Sequence, residues 1–158
     1  MLKIRQCSHE KGSNEKDITG IFQVLSENYS LSPWSHAYIE NDLATKTSRY
    51  FVIEDAQEIV GFLAVTEVIN EIEITNIAIK PAYHHQGLAS RLLDQLPVNW
   101  ADKAANELIE TVFLEVRASN LPAQKLYQKF GFEAYHIRKN YYSMPQEDAI
   151  LMRLNTKN

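Results

Sequence analysis

Residues 113–132 read FLEVRASNLPAQKLYQKFGF and place a carboxylate (Glu115), an amide (Asn120) and a phenol (Tyr127) in one short stretch. Glu115 lies near the end of an apolar strand pattern made by Val112, Phe113, Leu114 and Val116, and a helix opens just beyond it at Ser119 or Asn120. Asn120 and Tyr127 are seven residues apart, a spacing that sets them almost in line on a helix. Acid, amide and phenol therefore converge on one crevice, an arrangement suited to moving protons beside a bound molecule. Pro122 in the first turn and Gly131 after the last mark the bounds of the helix. Ala123, Leu126, Tyr127 and Phe130 also make the i, i+3, i+4, i+7 stripe of any core-facing helix, so this stretch alone is equally satisfied by packing.

A second segment points at the same crevice. Residues 71–92, EIEITNIAIKPAYHHQGLASRL, read as a strand, a short loop and a helix carrying Leu88, Leu92, Leu93 and Leu96. The apolar alternation runs Ile72, Ile74 and then Ile77, Ile79, so one residue near Thr75 or Asn76 is out of step. Such a slip is the mark of a β-bulge, expected here to end regular pairing with a neighbouring strand and free backbone groups for a ligand. In the loop, Gly87 and Ala89 are small enough for a ligand to approach a helix N-terminus. Unpaired amides and the helix dipole favour an anion there, such as a pyrophosphate, although a lone glycine often serves only to turn the chain.

The pairing of NIAIKPAYHHQGLA with LEVRASNLPAQKLYQKFGF, followed by RKNYY and EDAILM, resembles the GNAT N-acetyltransferases, and within them the ribosomal-protein alanine N-acetyltransferase subfamily. The segment SPWS (Ser32 to Ser35) joins the resemblance, which spans most of residues 32–154. It implies an α/β fold with a mixed, mostly antiparallel central sheet of about seven strands, flanked by helices and splayed in the middle at the bulge. It further implies that Ile77, Ala78 and Ile79 meet the acetyl and pantetheine groups of acetyl-CoA through their backbone. His85, Gln86, Gly87, Leu88, Ala89 and Ser90 then form the pyrophosphate segment, and Asn120 is a cofactor-contacting amide. Glu115 matches the general base and Tyr127 the general acid. One departure is His84, where the family motif Q/R-x-x-G-x-G/A carries Gln or Arg. The main donors of that motif are backbone amides, so the site is expected to survive the change.

The implied chemistry suits these residue types. A thioester is already activated, so the protein has to hold a neutral amine beside the carbonyl, accept its proton, stabilise an oxyanion and assist a departing thiolate. An α-amino group (pKa about 7.7–8.0) is neutral several hundred times more often at pH 7 than a lysine (about 10.4), which makes a chain terminus the easier target for a carboxylate base. The expected reaction is acetylation of a protein α-amine, the N-terminal alanine of a ribosomal protein. Trp34, Tyr141 and Tyr142 are candidates for lining a peptide groove. The alternatives are a GNAT enzyme acting on a small amine (polyamine, amino acid or aminoglycoside) and a non-catalytic acyl-CoA-binding domain.

Global properties bound the reading. The chain has 158 residues with 45% hydrophobic content, enough for one domain over residues 1–158 with a single core. One cysteine, Cys7, allows no internal disulfide, and the start MLKIRQCSHEKG lacks a signal-peptide apolar region, so a cytoplasmic setting is expected. No apolar run approaches membrane-spanning length, and a net charge of −4 leaves no footprint for direct nucleic-acid binding. The five histidines have no metal-ligand spacing, so no metal is expected. Strands are expected at Leu2 to Gln6, Arg49 to Glu54, Ile59 to Ile69, Phe132 to Arg138 and Glu147 to Leu154, with helices over Asp17 to Tyr29 and from near Trp34. The run VGFLAV is apolar on both faces and belongs deep in a covered sheet. Pro97 should interrupt the helix after Leu96, leaving a loop or short helix at about residues 98–107.

Overall fold

The computed structural model describes residues 1–96 and 109–155. Its strands are β1 (Leu2–Gln6), β2 (Ser48–Asp55), β3 (Glu58–Val68), β4 (Glu71–Ile79), β5 (Thr111–Arg117), β6 (Glu133–Tyr142) and β7 (Glu147–Asn155). They form one sheet in the order β1-β2-β3-β4-β5-β7-β6. Every neighbouring pair is antiparallel except β4 and β5, so the mostly antiparallel, seven-stranded arrangement implied by the sequence is the one observed. Among the described residues four α-helices flank it: α1 (Glu15–Asn28), α2 (His36–Leu43), α3 (Leu88–Leu93) and α4 (Leu121–Phe130).

The two faces of the sheet are covered by different helices. On one face, Ile18, Ile21, Val24 and Leu25 of α1 and Ile39 and Leu43 of α2 pack on Tyr50, Val52, Phe62 and Ala64. On the other, Leu88, Leu92 and Leu93 of α3 and Tyr127 of α4 pack on Leu63, Val65, Ile72, Ile74, Val112 and Leu114. Strand β3 lies between the two cores, with Phe62 and Ala64 facing one and Leu63 and Val65 the other. That position accounts for the unbroken apolar run VGFLAV, every residue of which is buried.

The phase slip in β4 is a bulge. Ala64 of β3 opposes Asn76, but its neighbour Val65 opposes Ile74, so Thr75 is the extra residue. The Thr75 hydroxyl donates to the Ala64 carbonyl at 3.1 Å, supplying a donor where the ladder has slipped. Pairing with β3 continues on both sides of the bulge, as far as Gly61 opposite Ile79. The strand that parts from β4 is β5: its parallel pairing runs from Glu71 opposite Thr111 to Ile74 opposite Leu114 and stops there. The sequence expectation of a lost neighbour is met on the β5 side and not on the bulged β3 side, because the extra residue redirects the far half of β4 away from β5.

Other boundaries differ locally. Helix α2 begins at His36, beyond Trp34, because Ser35 caps it: the Ser35 hydroxyl oxygen accepts from the Tyr38 N–H at 3.0 Å. Helix α3 stops at Leu93, where Gln95 and Leu96 N–H groups donate to the Leu92 and Leu93 carbonyls, tightening the last turn while Leu96 stays fully buried. Strand β6 runs on to Tyr142, past the expected end at Arg138. The segment expected at residues 98–107 lies outside the described residues.

Phe62 is fully buried and stacks on Tyr50 with ring centroids 6.3 Å apart. Phe62→Ala should lower unfolding free energy by about 3–5 kcal/mol, measured as a shift of the urea midpoint at unchanged slope.

Candidate active site

Beyond Ile74 and Leu114 the edges of β4 and β5 that face each other are unpaired, and two clefts meet in the opening. The first, of about 580 Å³, is floored by Ile77, Ala78 and Ile79 and walled by His85, Gly87, Leu88, Ala89 and Ser90 on one side and Asn120, Ala123 and Leu126 on the other. Gln86, grouped with this loop from sequence, does not line it. The second, of about 370 Å³, holds Glu115 together with Trp34, Thr75, Arg117 and Tyr142. Tyr29, Ile77, Asn120 and Tyr127 line both clefts and mark their junction.

The loop before α3 presents backbone. Gly87 has φ +74°, in the left-handed region where glycine carries no steric penalty, and a Cβ built on it meets no atom within 4 Å. His85 shares this region at φ +63°, a strained conformation for a residue with a side chain. The first helical bond of α3 runs from the Arg91 N–H to the Gly87 carbonyl at 3.2 Å, so the N–H groups of Leu88, Ala89 and Ser90 precede it at the cleft wall. His84, the departure from the family motif, also lines this cleft, and its Nε2–H donates to the Ile79 carbonyl at 2.7 Å. Asn28 Nδ2 donates to the same carbonyl at 2.8 Å, tying the end of α1 to the end of β4.

Strand β5 and the turn after it are fixed by the C-terminal hairpin. Arg117 Nη1 donates to Glu147 Oε1 at 3.2 Å, and the Ser119 N–H donates to Glu147 Oε2 at 2.5 Å. The Arg117 guanidinium also lies over the Tyr142 ring at 4.4 Å. Of the two cap candidates, Asn120 fills the role: its Oδ1 accepts from the Ala123 N–H at 3.2 Å, with Pro122 following in the first turn. The motif residues Arg117, Ser119 and Asn120 thus build the frame around Glu115 and Tyr127.

Glu115 alternates out of the core made by Val112, Leu114 and Val116. Its side chain is 24% exposed, yet Oε2 is wholly buried and accepts no hydrogen bond. The nearest cation, Arg138 Nη1, stands 3.7 Å away, outside hydrogen-bonding distance. A carboxylate oxygen in this state is costly unless a donor arrives, and Glu115 lines the cleft from which one would come. Burial raises Tyr141 and Tyr142, and the charge of Glu115 raises both further, Tyr142 to about 12. Tyr127 is 6% exposed, and burial pushes its phenol far up, with smaller contributions from Tyr29 and Tyr142, so it stays protonated throughout the neutral range.

Sequence reasoning missed Asn28 and Tyr29, whose position at the end of α1 becomes meaningful only when that helix crosses β4. It also missed Glu73 and Arg138, which the sheet brings beside Glu115. Of the three aromatic groove candidates, Trp34 and Tyr142 line the Glu115 cleft, whereas Tyr141 is exposed with Arg138 over its ring at 4.9 Å. Among the described residues, no group of three or more His, Cys, Asp or Glu side chains is placed to hold a metal ion.

Comparison with known proteins gives consistent matches. The model of the acetyltransferase (GNAT) family matches residues 18–132. The ribosomal protein bS18-alanine N-acetyltransferase of Haemophilus ducreyi is 36% identical over 143 residues, covering 89% of this chain and 94% of that one. The crystal structure of the ribosomal-protein-S18-alanine N-acetyltransferase from Escherichia coli matches at a TM-score of 0.84 and 29% identity, over 100% of this chain and 96% of that one. Arabidopsis thaliana NAA60 in complex with acetyl-CoA shares the fold, with a TM-score of 0.81 at 15% identity over the whole of both chains.

Asn120 caps α4 whatever else it touches. Asn120→Ala should cost about 1 kcal/mol of stability, and Asn120→Asp should keep most of it, both read by chemical denaturation without ligand.

Proposed function

Because the chain belongs to the GNAT acetyltransferase family and is an acetyl-CoA-dependent N-acetyltransferase, we propose that its acceptor is the N-terminal alanine of ribosomal protein bS18, with Glu115 as general base and Tyr127 as the donor to the leaving sulfur. The relatives named for this activity support the acceptor. The observation that carries the chemistry is the buried, donorless Glu115 Oε2, set in a cleft that joins the Gly87 cleft at Tyr127.

Each group then has one task. The unpaired edge of β4 at Ile77, Ala78 and Ile79 receives the pantetheine arm and turns a backbone N–H toward the oxyanion. The amides at Gly87, Leu88, Ala89 and Ser90 receive the pyrophosphate. Glu115 draws the α-amine into the junction and takes its proton. Tyr127 is protonated and so always presents a donor to the sulfur. A phenol is a weaker acid than a thiol by about 1.5 pKa units, and burial widens that gap. Hydrogen-bond donation that stabilises the thiolate therefore fits better than a lasting proton transfer. Trp34 and Tyr142 flank the acceptor path and favour a peptide over a small amine.

Among the described residues no helix is long and apolar enough to cross a membrane. We read the chain as one GNAT domain working in the cytoplasm, where ribosomal proteins are met, with no membrane or nucleic-acid contact of its own.

A synthetic peptide beginning Ala-Arg, incubated with acetyl-CoA, should gain one acetyl group on its α-amine by mass spectrometry; modification of lysine or polyamines instead would reassign the acceptor. Glu115→Gln should lower kcat about a hundredfold or more while acetyl-CoA still binds, whereas an unchanged rate would leave positioning as the sole device. Gly87→Val should weaken acetyl-CoA by calorimetry about tenfold or more, since strain of about 1–2 kcal/mol at this φ is joined by a side chain in the open space at the loop.

A further inference from the structure

Resting on the reaction just described, we propose that Glu73 is the relay through which the proton taken by Glu115 leaves for bulk water. Acetylation of an α-ammonium forms one N–C bond, breaks the C–S bond and removes two protons from nitrogen. One is balanced by the proton that the released thiolate takes up, and the other has to reach solvent. Glu115 Oε2 itself has no exposure to water although the side chain as a whole is 24% exposed, so a proton lodged on Oε2 leaves most directly through a neighbouring group.

The sheet supplies that group. Glu73 opposes Phe113 in the short parallel stretch of β4 and β5, and Glu115 is two residues further along β5, so both carboxylates leave the same face. Ile72 and Ile74 with Val112 and Leu114 fill the opposite face, which fixes this orientation. Glu73 is exposed, while Glu115 Oε2 is buried, so the pair spans from the cleft to water. The charged groups facing Glu73 are Glu115 from β5 and Arg138 from β6; on β3 its register partner is the uncharged Thr66. Partial burial first and the Glu115 charge second raise the proton affinity of Glu73, and Arg138 offsets part of this. A carboxylate in that condition accepts a proton from its neighbour more readily than an ordinary surface glutamate and releases it at its solvent side. Arg138, 3.7 Å from Glu115, holds the pair together without satisfying the buried oxygen.

The test compares wild type with Glu73→Gln and Glu73→Asp under saturating acetyl-CoA and Ala-Arg peptide, at fixed pH and ionic strength, while the concentration of imidazole is raised from near zero. Glu73 is an exposed strand residue, so the variants should fold, and circular dichroism checks this. Glu73→Gln should lose on the order of tenfold in kcat in dilute buffer, with KM for peptide unchanged. Imidazole should restore the rate by carrying the proton in place of Glu73, and Glu73→Asp should lie nearer to wild type. An unchanged kcat, a loss that imidazole does not repair, or an effect confined to KM for peptides with a basic second residue would overturn the relay. If wild type itself leaves the peptide α-amine untouched, the acceptor assignment is at fault, and the same comparison is made on whichever amine wild type acetylates.

Discussion

The parting of two strands is the constraint on which the rest depends. Strands β4 and β5 are held together for four residue pairs and then diverge, and one inserted residue in β4, Thr75, accompanies the divergence. An open gap inside a sheet would ordinarily expose unpaired amides to apolar surroundings, a state folded proteins avoid. It persists here because each flank is anchored elsewhere: β4 stays paired with β3 on both sides of the bulge, and β5 is paired with β7 along its whole length. The gap is a stable feature of the fold, with hydrogen-bonding capacity that a bound molecule can use.

The anchoring reaches far along the chain. Glu147, in the last strand, binds both Arg117 and the Ser119 N–H, so the frame around Glu115 is completed by residues about thirty positions away in sequence. Asn28 and His84 converge on the Ile79 carbonyl and fix the other flank. His84, in place of the usual Gln or Arg, anchors its ring on the end of β4 while still lining the cleft.

Much of this was legible in the sequence because the signals were periodic or local. The slip between Ile74 and Ile77 located the bulge to Thr75 or Asn76, the run VGFLAV located the doubly covered strand, and Ser119 or Asn120 with Pro122 and Gly131 bounded α4. What escaped depended on contacts between distant segments. No local pattern shows that Tyr29 joins two clefts, that Gln86 turns away from the loop wall, or that Glu73 lies beside Glu115. The side on which pairing fails was also beyond reach, since a slip in one strand does not say which neighbour departs. Ends of α2 and α3 shifted because a serine side chain and a tightened turn, rather than apolar spacing, decide where helices begin and stop.

The junction at Tyr127 carries a kinetic implication. The two clefts are distinct and share Tyr29, Ile77, Asn120 and Tyr127 in their linings, so donor and acceptor can be seated together. The chain's one thiol, Cys7, is buried in the α1 core, remote from either lining, and offers no place to park an acyl group. Transfer in a single encounter between both bound partners follows, and intersecting double-reciprocal lines, rather than the parallel lines of a ping-pong scheme, are its signature.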